Sequence, residues 1–126
     1  MPKRVLDVGN CVPDHAAIRH LVETQFQAEV TQTHGPEDTL KALEGQAFDL
    51  VLVNRKLDQD YSDGMEIIAR IKADPALAKT PCMLITNYAE HQDAAVAAGT
   101  EYGFGKKELR TAETYEKLAR FLNPEA

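Results

Sequence analysis

The residues able to do chemistry in this chain stand at the ends of apolar runs. Gly9 and Asn10 follow "VLDV", Asn54 closes "FDLVLVN", Thr86 and Asn87 close "CMLITN", and Gly105, Lys106 and Lys107 follow "EYGF". A carboxamide, a hydroxyl and an ammonium can hold a small anion, but none of them is an anionic oxygen nucleophile. Carboxylates come close by in the loop "RKLDQDYSDG", at Asp58 and Asp60, and inside the first apolar run at Asp7. Thiol chemistry has little to work with. Cys11 and Cys82 form no CxxC pair, Cys82 within "PCMLIT" reads as a small buried hydrophobe, and the one base near Cys11 is His15. His15, His20, His34 and His91 lack metal-ligand spacing, and His15 and His20, five apart, do not share a helix face.

Bulk properties narrow the setting. The length, 126 residues, fits one domain, and 44% hydrophobic residues are enough to build a core. A net charge of −6 repels phosphate backbones and anionic lipid, which argues against nucleic-acid and membrane partners. No run is long and apolar enough for a membrane span, and "MPKRVLDVGN" turns polar too early for a signal peptide. A cytoplasmic protein without disulfides is the simplest expectation.

The elements that must position the polar residues alternate regularly. "KRVLDVGN" reads as a strand entering a loop, and "PDHAAIRHLVETQF" as a helix with Ala17, Ile18, Leu21, Val22 and Phe26 at helical spacing. "AEVTQT" is a weaker strand and "GPEDTLKALEG" a short helix with acids in its first turn. "FDLVLVN" is a continuous apolar strand of the kind buried on both faces of a parallel sheet. "DGMEIIARIKADPAL", "TPCMLITN", "AEHQDAAVAAG", "TEYGFG" and "TAETYEKLARFL" then continue as helix, strand, helix, strand, helix. Five strand–helix repeats call for a doubly wound parallel sheet with helices on both faces, a three-layer (βα)5 sandwich over residues 1–126. In such sheets ligands bind beyond the carboxyl ends of the strands, where the strand-end residues named above fall.

At those strand ends the chain resembles the receiver domain of bacterial two-component response regulators. "FDLVLVN" is similar to the strand that ends in the family's phosphoacceptor aspartate. "DGMEIIARIKADPALAKTPCMLIT" is similar to its third helix and fourth strand, and "AAGTEYGFGKK" to its stretch ending in a lysine and a proline. The resemblance implies a flavodoxin-like fold with strand order 2-1-3-4-5, and a site for phosphoryl transfer. That chemistry needs a carboxylate nucleophile, two acids ending the first strand to hold Mg²⁺, and a hydroxyl and a lysine on the phosphoryl oxygens.

Thr86 and Lys106 match the last two parts, but the others do not match. The phosphoacceptor position is Asn54, and the acid-pair positions are Gly9 and Asn10. Lys107 replaces the usual proline after the lysine. The loop after Asn54 is two residues longer than the usual spacing, with Asp58 where proline is common. The switch aromatic falls on Gly103, between Tyr102 and Phe104.

The reading is a receiver-like signalling module that is not an enzyme, is not phosphorylated on aspartate, and carries no metal and no cofactor. It acts through a protein partner or self-association. The family's output face implies helix 4, strand 5 and helix 5, with Tyr102, Phe104, Glu108, Arg110 and Glu116 on it. Tyr102 and Phe104, two apart, are expected on one side of the strand. Lys106 needs a carboxylate, with Asp58 and Asp60 the first candidates and Asp7 the next. Two alternatives stand beside this reading. One is a phosphorylatable receiver using Asp58 or Asp60. The other is a flavodoxin-like ligand-binding or thiol domain, using Cys11 or an anion pocket.

Overall fold

Apolar strands that carry bulky side chains on both sides need cover on both sides, and the computed structural model, which describes residues 2–123, provides it. The elements in chain order are β1 (Arg4–Val8), α1 (Val12–Phe26), β2 (Glu29–Thr33), α2 (Pro36–Gly45), β3 (Leu50–Asn54) and α3 (Met65–Ala73). They continue with β4 (Cys82–Ile85), α4 (Ala89–Ala97), β5 (Glu101–Phe104), a 3₁₀ turn at Lys106–Glu108, and α5 (Ala112–Leu122). The five strands form one sheet in the order β2-β1-β3-β4-β5, with parallel pairing throughout.

Strand alternation divides the core in two. Val5, Leu50, Leu52, Met83 and Ile85 face α1 and α5, against Ile18, Val22, Phe26, Leu118 and Leu122. Leu6, Val8, Val51, Val53 and Leu84 face the other way, against Leu43 of α2, Ile67, Ile68 and Ile71 of α3, and Ala95 of α4. Cys82 lies in this second core, where burial pushes its thiol up to about 11, far from a reactive thiolate.

Two local features bear on the site. Helix α1 starts at Val12, one residue before the Pro13-Asp14 signal, so Asp14 lies in its first turn beside the positive end of the helix dipole. Strand β5 is irregular. Met83 pairs with Glu101 and Ile85 with Phe104, so three steps along β5 answer two along β4. This bulge breaks the period of two, and places Tyr102 and Phe104 in different environments.

Candidate functional site: the carboxyl end of the sheet

Asp7 shares its strand face with Val5 and therefore looks toward α1. It is fully buried. His15, on the first turns of α1, places Nδ1 2.6 Å from one carboxylate oxygen, and the Asn10 amide donates to the other. Burial raises the Asp7 carboxyl above its usual value of 3.8, against the lowering effect of those two hydrogen bonds. Asp7 is thus a buried acid held by neighbouring donors, and the carboxylate that Lys106 holds is a different one. Asn10 is spent on Asp7, and its own Oδ1 is buried with no partner among the described residues. Gly9 adopts φ +77°, and a Cβ there would press into Leu57, 3.2 Å from its Cα.

Lys106 meets a carboxylate, but not one of those expected. Its Nζ lies 2.7 Å from Oδ2 of Asp14, which also accepts the Cys11 thiol at 3.2 Å. The Lys106 hydrogen bond holds the Asp14 carboxyl below its usual value. The reason is the layer arrangement: α1 covers the same sheet face as α5, and Asp14 in its first turn comes within reach of Lys106, which follows β5. Asp58 and Asp60 belong to the loop that leans the other way, toward α2. Asp58 lies 3.1 Å from Nδ1 of His34, and Asp60 accepts from the Ser62 backbone and hydroxyl at 2.9 and 2.6 Å. Asp60 lines a separate cleft with Gly35 and Pro36. His15 is engaged with Asp7 rather than with Cys11, whose thiol donates to the Asp14 carboxylate.

Asn54 is tied into the loop. Its Nδ2 donates to the carbonyls of Gly9 at 3.1 Å and Lys56 at 2.7 Å. The loop folds back as a small hairpin, with Lys56 bridged to Asp63, Leu57 N–H donating to Ser62 at 2.9 Å, and Gly64 N–H donating to Arg55 at 2.8 Å. Leu57 is buried beneath Gly9, while Tyr61 is displayed at the tip with φ +61°. The loop thus makes a folded cap over the end of β1.

Thr86 accepts from the Tyr88 N–H at 3.3 Å and lies 3.2 Å from Nδ1 of His91. The end of β4 and the middle of β5 are organised by a residue that no sequence motif marks. Gln92 is buried in α4; its amide donates to the carbonyls of Leu84 at 2.9 Å and Thr86 at 3.3 Å, and its oxygen accepts from the Gly103 N–H at 2.8 Å. These bonds satisfy backbone groups that the β5 bulge leaves without strand partners. A lone glutamine on an alanine-rich helix was the available signal. Phe104 is buried in the α1/α5 core, whereas Tyr102 is 47% exposed with Lys117 of α5 4.9 Å above its ring. Phe104 therefore lies outside the exposed surface expected to contain it.

Between these groups lies a cleft of about 220 Å³, lined by Asn54, Arg55, Lys56, Thr86, Tyr88 and Lys106 among others, none of them an acid. A hard dication seeks several anionic oxygens. Gly9 and Asn10 supply none, Asn54 is neutral, and Asp7 is enclosed by His15 and Asn10. The residues present do not fit the Mg²⁺ that the resemblance implies.

Comparison with known proteins agrees with the architecture. A family model described as the response regulator receiver domain matches residues 10–118. No curated protein matches the chain. Among solved structures, a protein of Chloroflexus aurantiacus J-10-fl held to be a response regulator aligns with TM-score 0.81 at 19% identity, over 97% of this chain and 98% of that one. The signal receiver domain of a DNA-binding response regulator from Colwellia psychrerythraea 34H gives 0.74 at 23%, over 94% and 98%. The receiver domain of sensor histidine kinase PA1611 from Pseudomonas aeruginosa PAO1, with a magnesium ion in its active-site cleft, gives 0.73 at 20%, over 97% and 98%. With the family model spanning most of the chain and the sheet wound in the order 2-1-3-4-5, the protein belongs to the response regulator receiver domain family.

Proposed function

We propose that this receiver domain signals through protein contacts without forming an aspartyl phosphate. The observation that carries the reading is the Asn54 amide, which donates to two backbone carbonyls and so knits β3 to the loops after β1 and β3. An amide in this role is a structural tie and carries no negative oxygen to attack a phosphodonor. The acid-pair positions support the same reading. Gly9 is packed on Leu57 in a left-handed conformation, and Asn10 is bonded to Asp7. Asp58 and Asp60 are engaged with His34 and Ser62, and neither lines the cleft that holds Thr86 and Lys106.

The surface proposed for the partner, a signalling protein or a second copy, is α4, β5 and α5, where Glu108, Arg110, Glu116 and Tyr102 are exposed. Incubation with acetyl phosphate and Mg²⁺, followed by intact-mass measurement, tests the central point. The expected result is an unchanged mass. A stoichiometric phosphoryl adduct lost on changing Asp58 or Asp60 would overturn it.

A further inference from the structure

A groove between α1 and the start of α5 lies apart from the cleft at the strand ends and shares no residue with it. It encloses about 340 Å³, within the range of about 300–1,000 Å³ in which small-molecule sites fall. That is room for about ten groups the size of a water molecule. Part of its wall is apolar. Leu21 is half-buried, Leu109 is buried, and the Tyr115 ring is 43% exposed while stacked on Phe26 with centroids 5.0 Å apart. The stack anchors the Tyr115 ring as a fixed aromatic surface. The more exposed part of the wall is basic, with His20 from α1 and Arg110 from the turn before α5. Neither joins an ion pair among the described residues. No carboxylate forms part of the wall, although the chain carries a net charge of −6. An unpaired guanidinium beside an apolar groove is open to a carboxylate from outside, which its planar fork matches with two parallel hydrogen bonds.

We infer that this groove reversibly binds a small carboxylate with an aromatic body, its ring packed on Leu21 and Tyr115 and its carboxylate held by Arg110. Charge complementarity selects the anion, and the apolar wall selects the body. No covalent bond forms. The ligand bridges α1 and α5, and so gives the domain an input that does not pass through residue 54. The inference goes beyond the proposed function and stands whether or not the chain accepts a phosphoryl group.

The test is a ¹H–¹⁵N titration at neutral pH with 3-phenylpropionate, with its uncharged amide, 3-phenylpropionamide, and with acetate, which has the charge without the ring. Saturable shifts are expected from 3-phenylpropionate at the amides of Leu21, Thr24, Ala112 and Tyr115. The amide analogue should bind about tenfold more weakly, and acetate more weakly still. Arg110→Gln, at an exposed position, should abolish the preference for the carboxylate over the amide analogue. Leu21→Asn should weaken both by a similar factor, and the spectra of both variants away from the groove report that they remain folded. Shifts that never saturate, an amide analogue that binds as well as the carboxylate, or an affinity indifferent to Arg110→Gln would each overturn the inference. So would shifts confined to Thr86 and Lys106, or the same groove shifts appearing on raising the protein concentration alone, which would give the groove to a second copy of the chain.

Discussion

Asn54 differs from an aspartate by one heavy atom, but here the difference reverses the direction of two hydrogen bonds. A carboxylate in its place would face the Gly9 and Lys56 carbonyls with no hydrogen to offer. Asn54→Asp is therefore expected to cost about 1–3 kcal/mol, the usual penalty for leaving such groups unmatched, and to gain no efficient phosphorylation. Urea unfolding and intact mass after acetyl phosphate read the two outcomes. Adding Gly9→Asp should make matters worse, since φ +77° and the contact with Leu57 both oppose a side chain there.

Asp7 and Asp14 make opposite predictions for pH. Asp7 is raised by burial, so the folded chain holds that proton more tightly than the unfolded one. Its contribution to stability is present below 3.8 and is lost as pH rises through the raised folded value. Asp14 is lowered by Lys106, so its smaller contribution is present above 3.8 and is lost as pH falls. Denaturation midpoints against pH should show Asp7→Asn gaining on wild type as pH rises above 3.8, and Asp14→Asn losing its deficit as pH falls below it.

At the level of elements, α4 and β5 are joined by Gln92 more than by their apolar surface. The helix is short and alanine-rich, and Ala95 is its buried apolar residue. β5 does not run regularly beside β4, and Gly103 comes so close to the Leu84 carbonyl that a Cβ there would collide with it. Gln92 spans the gap the bulge leaves, with three hydrogen bonds to Leu84, Thr86 and Gly103. Gln92→Met keeps the volume and removes those bonds; it should cost about 1–3 kcal/mol per buried group left bare. Hydrogen exchange at the Gly103 amide should accelerate more than at amides of β1 or β3. Unchanged protection there would show that the bulge is held by packing alone.

For the molecule as a whole, the buried Phe104 has a consequence for signalling. A fifth-strand aromatic already sealed in the α1/α5 core cannot move in response to events at Thr86 without opening that core. The face built by α4, β5 and α5 is accordingly expected to hold one arrangement, and partner binding or self-association should not vary with acetyl phosphate. Glu108→Ala, Arg110→Ala and Glu116→Ala, all at exposed positions, should each weaken binding by up to about tenfold while leaving the unfolding free energy within about 0.5 kcal/mol. Crosslinks mapping instead to α1 and α2 would move the interface to the opposite edge of the sheet, beside β2.

The alternation of apolar strands with amphipathic helices, read with the family resemblance, was enough to specify the strand order and to bring Gly9, Asn54, Thr86 and Lys106 to one end of the sheet, because each is tied to a strand terminus by its place in the chain. That Gly9, Asn10 and Asn54 carry no carboxylate was equally plain, being a matter of residue type alone. Three things needed the folded chain. That Lys106 meets Asp14, 92 residues away, follows from α1 and α5 sharing a sheet face, and contacts between layers leave no mark in local spacing. That Phe104 is buried in the core while Tyr102 stays exposed goes with an irregular β5, whose one extra residue leaves no trace in the composition of the strand. The packing of Gly9 on Leu57 joins two loops whose meeting depends on how the longer one folds back, and that is settled by hydrogen bonds among its own backbone groups and the Asn54 amide.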